Sequence, residues 1–112
     1  MRLLIDKDTT MRHLLTLEDW TKEQIAEAIA AARAIKADPG AYADILRRKT
    51  LCMIFEKPSL RTRLSFEAGM NQMGGHAIYY DTSTSPLGAG KETIADTVRT
   101  MCRYVDIIMA RL

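Results

Sequence analysis

Cysteine, histidine, proline and charge excess are all scarce in this chain, and each shortage removes a class of protein. Only Cys52 and Cys102 carry thiols, far apart and in apolar surroundings. They build no disulfide framework and no zinc spacing, so reduced thiols in a cytoplasmic protein are expected. The two histidines, His13 and His76, lack ligand-spaced partners, and no resident metal is expected. The formal net charge is only +2, which argues against a nucleic-acid or membrane-surface partner. No apolar run reaches the roughly 20 residues of a membrane-spanning helix. The first ten residues are mixed and charged, with no signal-peptide core, and read as a leader ahead of Met11. Repeats and low-complexity stretches are missing too. What is present is 112 residues at 47% hydrophobic content, enough for one domain with a modest core.

The apolar pattern divides the chain into alternating elements. Thr21 and Gln24 form a capping-box pair, and Ile25, Ala28, Ile29, Ala32 and Ile35 follow at helical spacing. This predicts a helix over 22–36, stopped by Asp38-Pro39-Gly40. Tyr42, Ile45 and Leu46 predict a short second helix. Residues 50–55 are a continuous apolar run, as in a strand covered on both faces. A helix over 60–73 ends at Gly74-Gly75, and a second strand is expected over 76–80. The segment 81–90 is rich in Ser, Thr, Gly and Pro and reads as a loop. A helix over 91–103, with Ile94, Val98, Met101 and Cys102 on its apolar side, leads to a third strand over 105–110. Strand–helix alternation implies an α/β fold, a parallel sheet with helices on both faces. The chain stops just after the third strand, so the domain is expected to be incomplete at its C-terminal end.

Ligands of such sheets gather beyond the carboxyl ends of the strands. Three segments fall there: residues 56–63, the loop from Asp81, and Arg111. Ser59, Leu60, Arg61, Thr62 and Arg63 crowd a helix start, where free N–H groups and the positive end of the dipole face outward. Ser59 is placed to be the N-cap, its hydroxyl also able to donate to an anion. The Arg61 guanidinium is a planar fork suited to phosphate oxygens. Two arginines at the positive end of a helix dipole repel it unless an anion joins them. The plainer alternative is an ordinary cap followed by surface arginines. Arg63, two residues on from Arg61, points to another side and reads as a structural ion pair with Glu67 or Glu56. Arg111 is either a snorkelling strand-end residue or a ligand arm.

At these residues the chain resembles the aspartate/ornithine carbamoyltransferase family, whose carbamoyl-phosphate motif Ser-x-Arg-Thr-Arg stands here as Ser59-Leu60-Arg61-Thr62-Arg63. Its flanks are present as Phe55 to Ser59 and Ser65-Phe66-Glu67. Gly74-Gly75-His76-Ala77, Leu87-Gly88, Lys91 to Thr97, Arg103-Tyr104-Val105-Asp106 and Ile108-Met109-Ala110-Arg111 resemble further family segments. The resemblance implies that residues 1–112 are a partial carbamoyl-phosphate-binding domain. It implies that Ser59, Leu60, Arg61 and Thr62 hold the phosphate, and that Arg111 reaches phosphate and carbonyl oxygen. Arg61 and Arg111 are then the catalytic pair, with no metal or organic cofactor.

The resemblance further implies carbamoyl transfer to ornithine, giving citrulline and phosphate in arginine metabolism, by a cytoplasmic homotrimer. The loop 82–91 is the segment that in the family reaches a neighbouring site, although the glutamine common there is replaced by Ser85-Pro86-Leu87-Gly88. The family's His-Pro-x-Gln segment and acceptor-binding domain lie beyond this sequence, so ornithine binding is expected only with that part, and the chain alone is expected to be inactive. Two alternatives stay open: an aspartate-type carbamoyltransferase, and a non-catalytic module that binds a phosphorylated ligand or self-associates.

Overall fold

The computed structural model describes residues 13–84 and 93–112. Most of the Ser/Pro/Gly-rich loop, Lys91 and Glu92, and the expected leader therefore lie outside the described residues. The backbone groups into two compact units, Met1–Tyr42 and Ala43–Leu112.

In the first unit the capping box forms as expected. The Gln24 N–H donates to the Thr21 hydroxyl at 3.1 Å, and the Thr21 N–H donates to Gln24 Oε1 at 2.9 Å. Helix α1 runs Lys22–Ala37 and ends where the Asp38 N–H bonds the Ala34 carbonyl. Ala31 is the buried position, while Ile29 is 52% exposed, so the inward stripe is rotated from the one expected. Alanine and isoleucine alternate so densely here that hydrophobicity alone does not choose between neighbouring stripes.

The expected second helix is not formed. Pro39–Tyr42 make a short 3-10 turn, and the next six residues are turns. The Leu46 N–H donates to the Met73 carbonyl at 2.8 Å, so the segment's backbone is committed to another helix's end rather than to its own. Arg48 takes a positive φ of 63° on the way into the sheet.

The second unit is a three-stranded parallel sheet. Strand β1 is Thr50–Phe55, β2 is His76–Asp81 and β3 is Ile107–Arg111, in the order β2-β1-β3. Helix α2, Leu60–Gln72, joins β1 to β2, and α3, Ile94–Cys102, lies between β2 and β3 in the chain. From Leu51 to Phe55 every residue of β1 is buried, which is why that segment reads as an unbroken apolar run.

The two faces of β1 have different neighbours. Leu51, Met53 and Phe55 pack with Met70 of α2. Cys52, on the opposite face, brings its sulfur to 3.9 Å from that of Met101 in α3. Successive side chains alternate along a strand, so the helices cover opposite faces. Burial pushes the Cys52 thiol above its ordinary value, which keeps it neutral.

Two ends were harder to place. Helix α3 has Thr97 as its buried residue, with Ile94 70% exposed and Cys102 exposed, so the expected apolar side is only half right. Thr97 turns its hydroxyl back to the Thr93 carbonyl at 3.0 Å, which lets a polar residue occupy the inward position. Strand β3 starts at Ile107 rather than Val105 because the Val105 N–H still bonds the Met101 carbonyl of the helix end. Asp106 then locks the strand entrance. Its N–H donates to the Thr50 carbonyl at 2.9 Å, and its carboxylate accepts from the Thr50 N–H at 2.9 Å.

Gly74 is required at the end of α2. It adopts φ +84°, and a Cβ there would stand 2.8 Å from the Ala43 carbonyl oxygen.

Candidate functional site

The strand order fixes where a ligand can sit. The chain leaves β1 toward β2 on one side and later returns to β3 on the other, with helices on opposite faces. Ligands of such sheets gather beyond the carboxyl ends of the strands where the order reverses, here β1 and β3. In register, Phe55 lies beside Asp81 of β2 and Arg111 of β3, so the three strands finish level. The Glu56 N–H continues the ladder by donating to the Arg111 carbonyl at 3.0 Å. The segment carrying Ser59 to Arg63 thus starts on a backbone bond to the residue expected to be the ligand arm.

The first turn of α2 is built differently from those of α1 and α3. In those helices a threonine hydroxyl accepts an N–H of the first turn. Ser59 occupies the same N-cap position with extended backbone, φ −151° and ψ 103°, but makes no side-chain cap bond. This corrects the expectation of a hydroxyl cap. The Ser59 hydroxyl instead donates to Thr62 Oγ1 at 3.0 Å, because the two side chains meet across the turn.

The Ser59 carbonyl accepts the Arg63 N–H at 3.0 Å and starts the helical ladder. The N–H groups of Leu60, Arg61 and Thr62 have no protein acceptor among the described residues. Three unmet donors and a hydroxyl pair at the positive end of a helix are groups whose chemistry suits an oxyanion.

Arg61 is exposed and makes no ion pair with a described residue. Arg111, the last residue of β3, is likewise exposed and unpaired among them. Both cations are therefore uncommitted, and both stand at the same edge of the sheet. Leu60 is 71% exposed, and what it offers at this helix start is its backbone N–H.

Arg63 behaves as its spacing implied. Its Nε donates to Glu67 Oε2 at 2.9 Å, which decides between the two carboxylates considered for it. Its stacking on Tyr79, with the guanidinium carbon 3.9 Å from the ring centroid, was not foreseen. The only sequence signal for that contact is the strand alternation that puts Ala77 and Tyr79 on one side and Tyr80 on the other.

Asp81 closes the β2 end of the edge. Its Oδ1 accepts from the Ser83 hydroxyl at 2.7 Å and from the Ser83 N–H at 2.9 Å. The Ser83 hydroxyl bond, followed by its N–H bond, holds the Asp81 carboxyl below the usual carboxylate range. A carboxylate with a depressed folded pKa adds stability above its unfolded pKa, and that share is lost as pH falls through the folded pKa. A carbon-detected NMR titration should therefore place Asp81 below the range of ordinary aspartates, with Ser83→Ala moving it part of the way back. An Asp81 that titrates alike in both proteins would show that Ser83 does not govern it. Thr82 adds a hydroxyl bond to the Phe55 carbonyl at 3.4 Å, tying this turn to the end of β1.

Comparison with known proteins identifies the family and the fold. The aspartate/ornithine carbamoyltransferase, carbamoyl-P binding domain family matches residues 12–112. A catabolic ornithine carbamoyltransferase of Halobacterium salinarum is 45% identical over 102 residues, which are 91% of this chain and 34% of that protein. The structure of the ornithine carbamoyltransferase from Pyrococcus furiosus superposes with a TM-score of 0.81 at 48% identity, over 89% of this chain and 32% of that one. The catalytic subunit of M. jannaschii aspartate transcarbamoylase superposes with a TM-score of 0.78 at 37% identity, over 90% of this chain and 34% of that one. The chain spans about a third of the length of the curated relatives it matches.

Proposed function

This chain belongs to the aspartate/ornithine carbamoyltransferase family through its carbamoyl-phosphate-binding domain, and on that premise we propose that it supplies the carbamoyl-phosphate half of an ornithine carbamoyltransferase. The observation that carries the reading is the open first turn of α2, reached through a segment whose first residue, Glu56, donates its N–H to the carbonyl of Arg111.

In this reading the N–H groups of Leu60, Arg61 and Thr62, the hydroxyls of Ser59 and Thr62, and the Arg61 fork hold the phosphate of carbamoyl phosphate. Arg111 reaches from β3 to the phosphate and to the carbonyl oxygen. The acceptor amine attacks the carbonyl carbon with its lone pair, a C–N bond forms, and the carbonyl electrons move onto oxygen. Arg111 and Arg61 stabilise that negative charge where it develops. As the carbonyl re-forms, the C–O bond to phosphate breaks, phosphate leaves with the electron pair, and the amine releases a proton. Positioning and charge neutralisation drive the reaction, and the scheme calls on no metal or organic cofactor.

Ornithine is favoured as the acceptor because identity reaches 45% to the Halobacterium salinarum and 48% to the Pyrococcus furiosus ornithine enzyme, against 37% to the M. jannaschii aspartate enzyme. A cytoplasmic homotrimer in arginine metabolism belongs to the same reading. Aspartate is the competing acceptor.

Calorimetric titration of the chain with carbamoyl phosphate, followed by competition with inorganic phosphate, tests the ligand. Saturable heat that phosphate displaces is expected, and its lack would overturn the proposal. Acceptor choice is tested on the enzyme that includes the acceptor-binding domain. Citrulline formed from ornithine supports the ornithine reading, and carbamoyl aspartate formed from aspartate overturns it.

A further inference from the structure

We infer that Arg63 is a positioning residue: stacked on Tyr79 and bonded to Glu67, it sets the rotation of the first turn of α2 and thereby aims the phosphate donors. This rests on the phosphate reading of Ser59 to Thr62. Arg63 ends the same short segment as Arg61, yet its surroundings are opposite. Its side chain is half-buried, its Nε is engaged by Glu67 at 2.9 Å, and its flat guanidinium lies over the Tyr79 ring at 3.9 Å. The Tyr79 ring in turn packs against that of Phe55, with centroids 5.1 Å apart and planes tilted by 44°. Phe55 is 1% exposed, so this stack is rooted in the core. Phe55, Tyr79 and Arg63, from β1, β2 and α2, therefore run without a break from the sheet interior to the first turn of the helix, with Glu67 holding Arg63 from one turn further on.

The geometry explains what that stack controls. Side chains two residues apart on an α-helix are about 200° apart around its axis. Holding Arg63 down on β2 therefore turns Arg61 to the other side of the helix, away from β2. It also fixes the direction in which the open N–H groups point. Each contact is weak taken singly, since the ion pair is partly exposed and the ring contact is one cation over one face. Their effect is local because both act on the first turn. Stacking through the plane while donating from the edge needs the delocalised fork of arginine, and an ammonium does not reproduce it.

The test compares the parent chain with Arg63→Lys, Arg63→Met, Tyr79→Leu and the Arg63→Met/Tyr79→Leu double variant. Each is titrated with inorganic phosphate and with carbamoyl phosphate. Amide exchange at position 63, whose N–H closes the first rung of α2 on the Ser59 carbonyl, is followed without ligand as protection relative to the unfolded chain, and urea midpoints are recorded. All three single variants should weaken phosphate binding by roughly tenfold or more, the scale that small misplacements of binding groups produce. The double variant should be no weaker than the worse single one, because both break the same link. The amide at position 63 should lose protection in every variant.

Arg63→Lys binding like the parent, or Tyr79→Leu leaving affinity intact, would show that Arg63 acts on the anion by its charge and would overturn the inference. Lowered urea midpoints with unchanged protection of the amide at position 63 would also overturn it, leaving a plain stabilising role. A parent that binds neither anion sinks the phosphate reading. The amide measurements then decide the role of Arg63 by themselves.

Discussion

Arg61→Ala is expected to remove most of the affinity for carbamoyl phosphate while leaving the fold intact. Arg61 is exposed and makes no ion pair with a described residue, so its loss leaves no buried partner stranded. Hydrogen bonds to a charged group contribute about 1.5–3 kcal/mol each, which translates into roughly a 10- to 150-fold weaker complex. Arg61→Lys should fall between the two, since it keeps the charge but gives up the fork. Calorimetry with carbamoyl phosphate, paired with a urea midpoint, reads both quantities. Equal affinity in parent and Arg61→Ala would place the anion elsewhere. The surviving N–H groups of the first turn should still give Arg61→Ala a measurable residual affinity for phosphate.

The largest stability loss is expected from Met53→Ala. Met53 is 0% exposed at the centre of the middle strand and belongs to the cluster with Leu51, Phe55 and Met70. Truncating a buried Leu, Ile or Met to alanine costs about 2–5 kcal/mol, because the lost contacts leave a cavity that closes only partly. That is a large share of the roughly 5–15 kcal/mol that holds a typical domain together. Met53→Leu, close in volume, should cost less than about 1.5 kcal/mol. Urea unfolding followed by far-UV circular dichroism distinguishes them. Similar midpoints for the alanine and leucine variants would mean that the strand is not packed as described.

How much of this was legible in the sequence depended on whether the signal was local. The six residues of β1 form one apolar run, and their bounds could be read directly. The start of α2 after Ser59 and the Gly74 stop were equally local, since a cap position and a left-handed turn have characteristic residues. The Arg63–Glu67 pair was legible for the same reason, as i,i+4 spacing alone brings the groups together. The missing helix around Ile45 failed because its fate is decided by the Met73 carbonyl, a partner remote in sequence. Strand order was illegible as well. Nothing in the alternation of elements says that β3 joins β1 rather than β2, and the meeting of Glu56 with Arg111 at the strand ends depends on that choice. Ser59 was assigned the right place and the wrong bond, because residue type does not tell which neighbour a hydroxyl selects.

The bond from the Glu56 N–H to the Arg111 carbonyl carries a consequence for how the two cations work together. The stretch leading to Arg61 and the strand end bearing Arg111 share one rung of the sheet, so both backbones start from fixed positions. What capture of an anion would still have to order is the two exposed guanidinium arms, and anchored backbones confine the entropy lost on binding to those side chains.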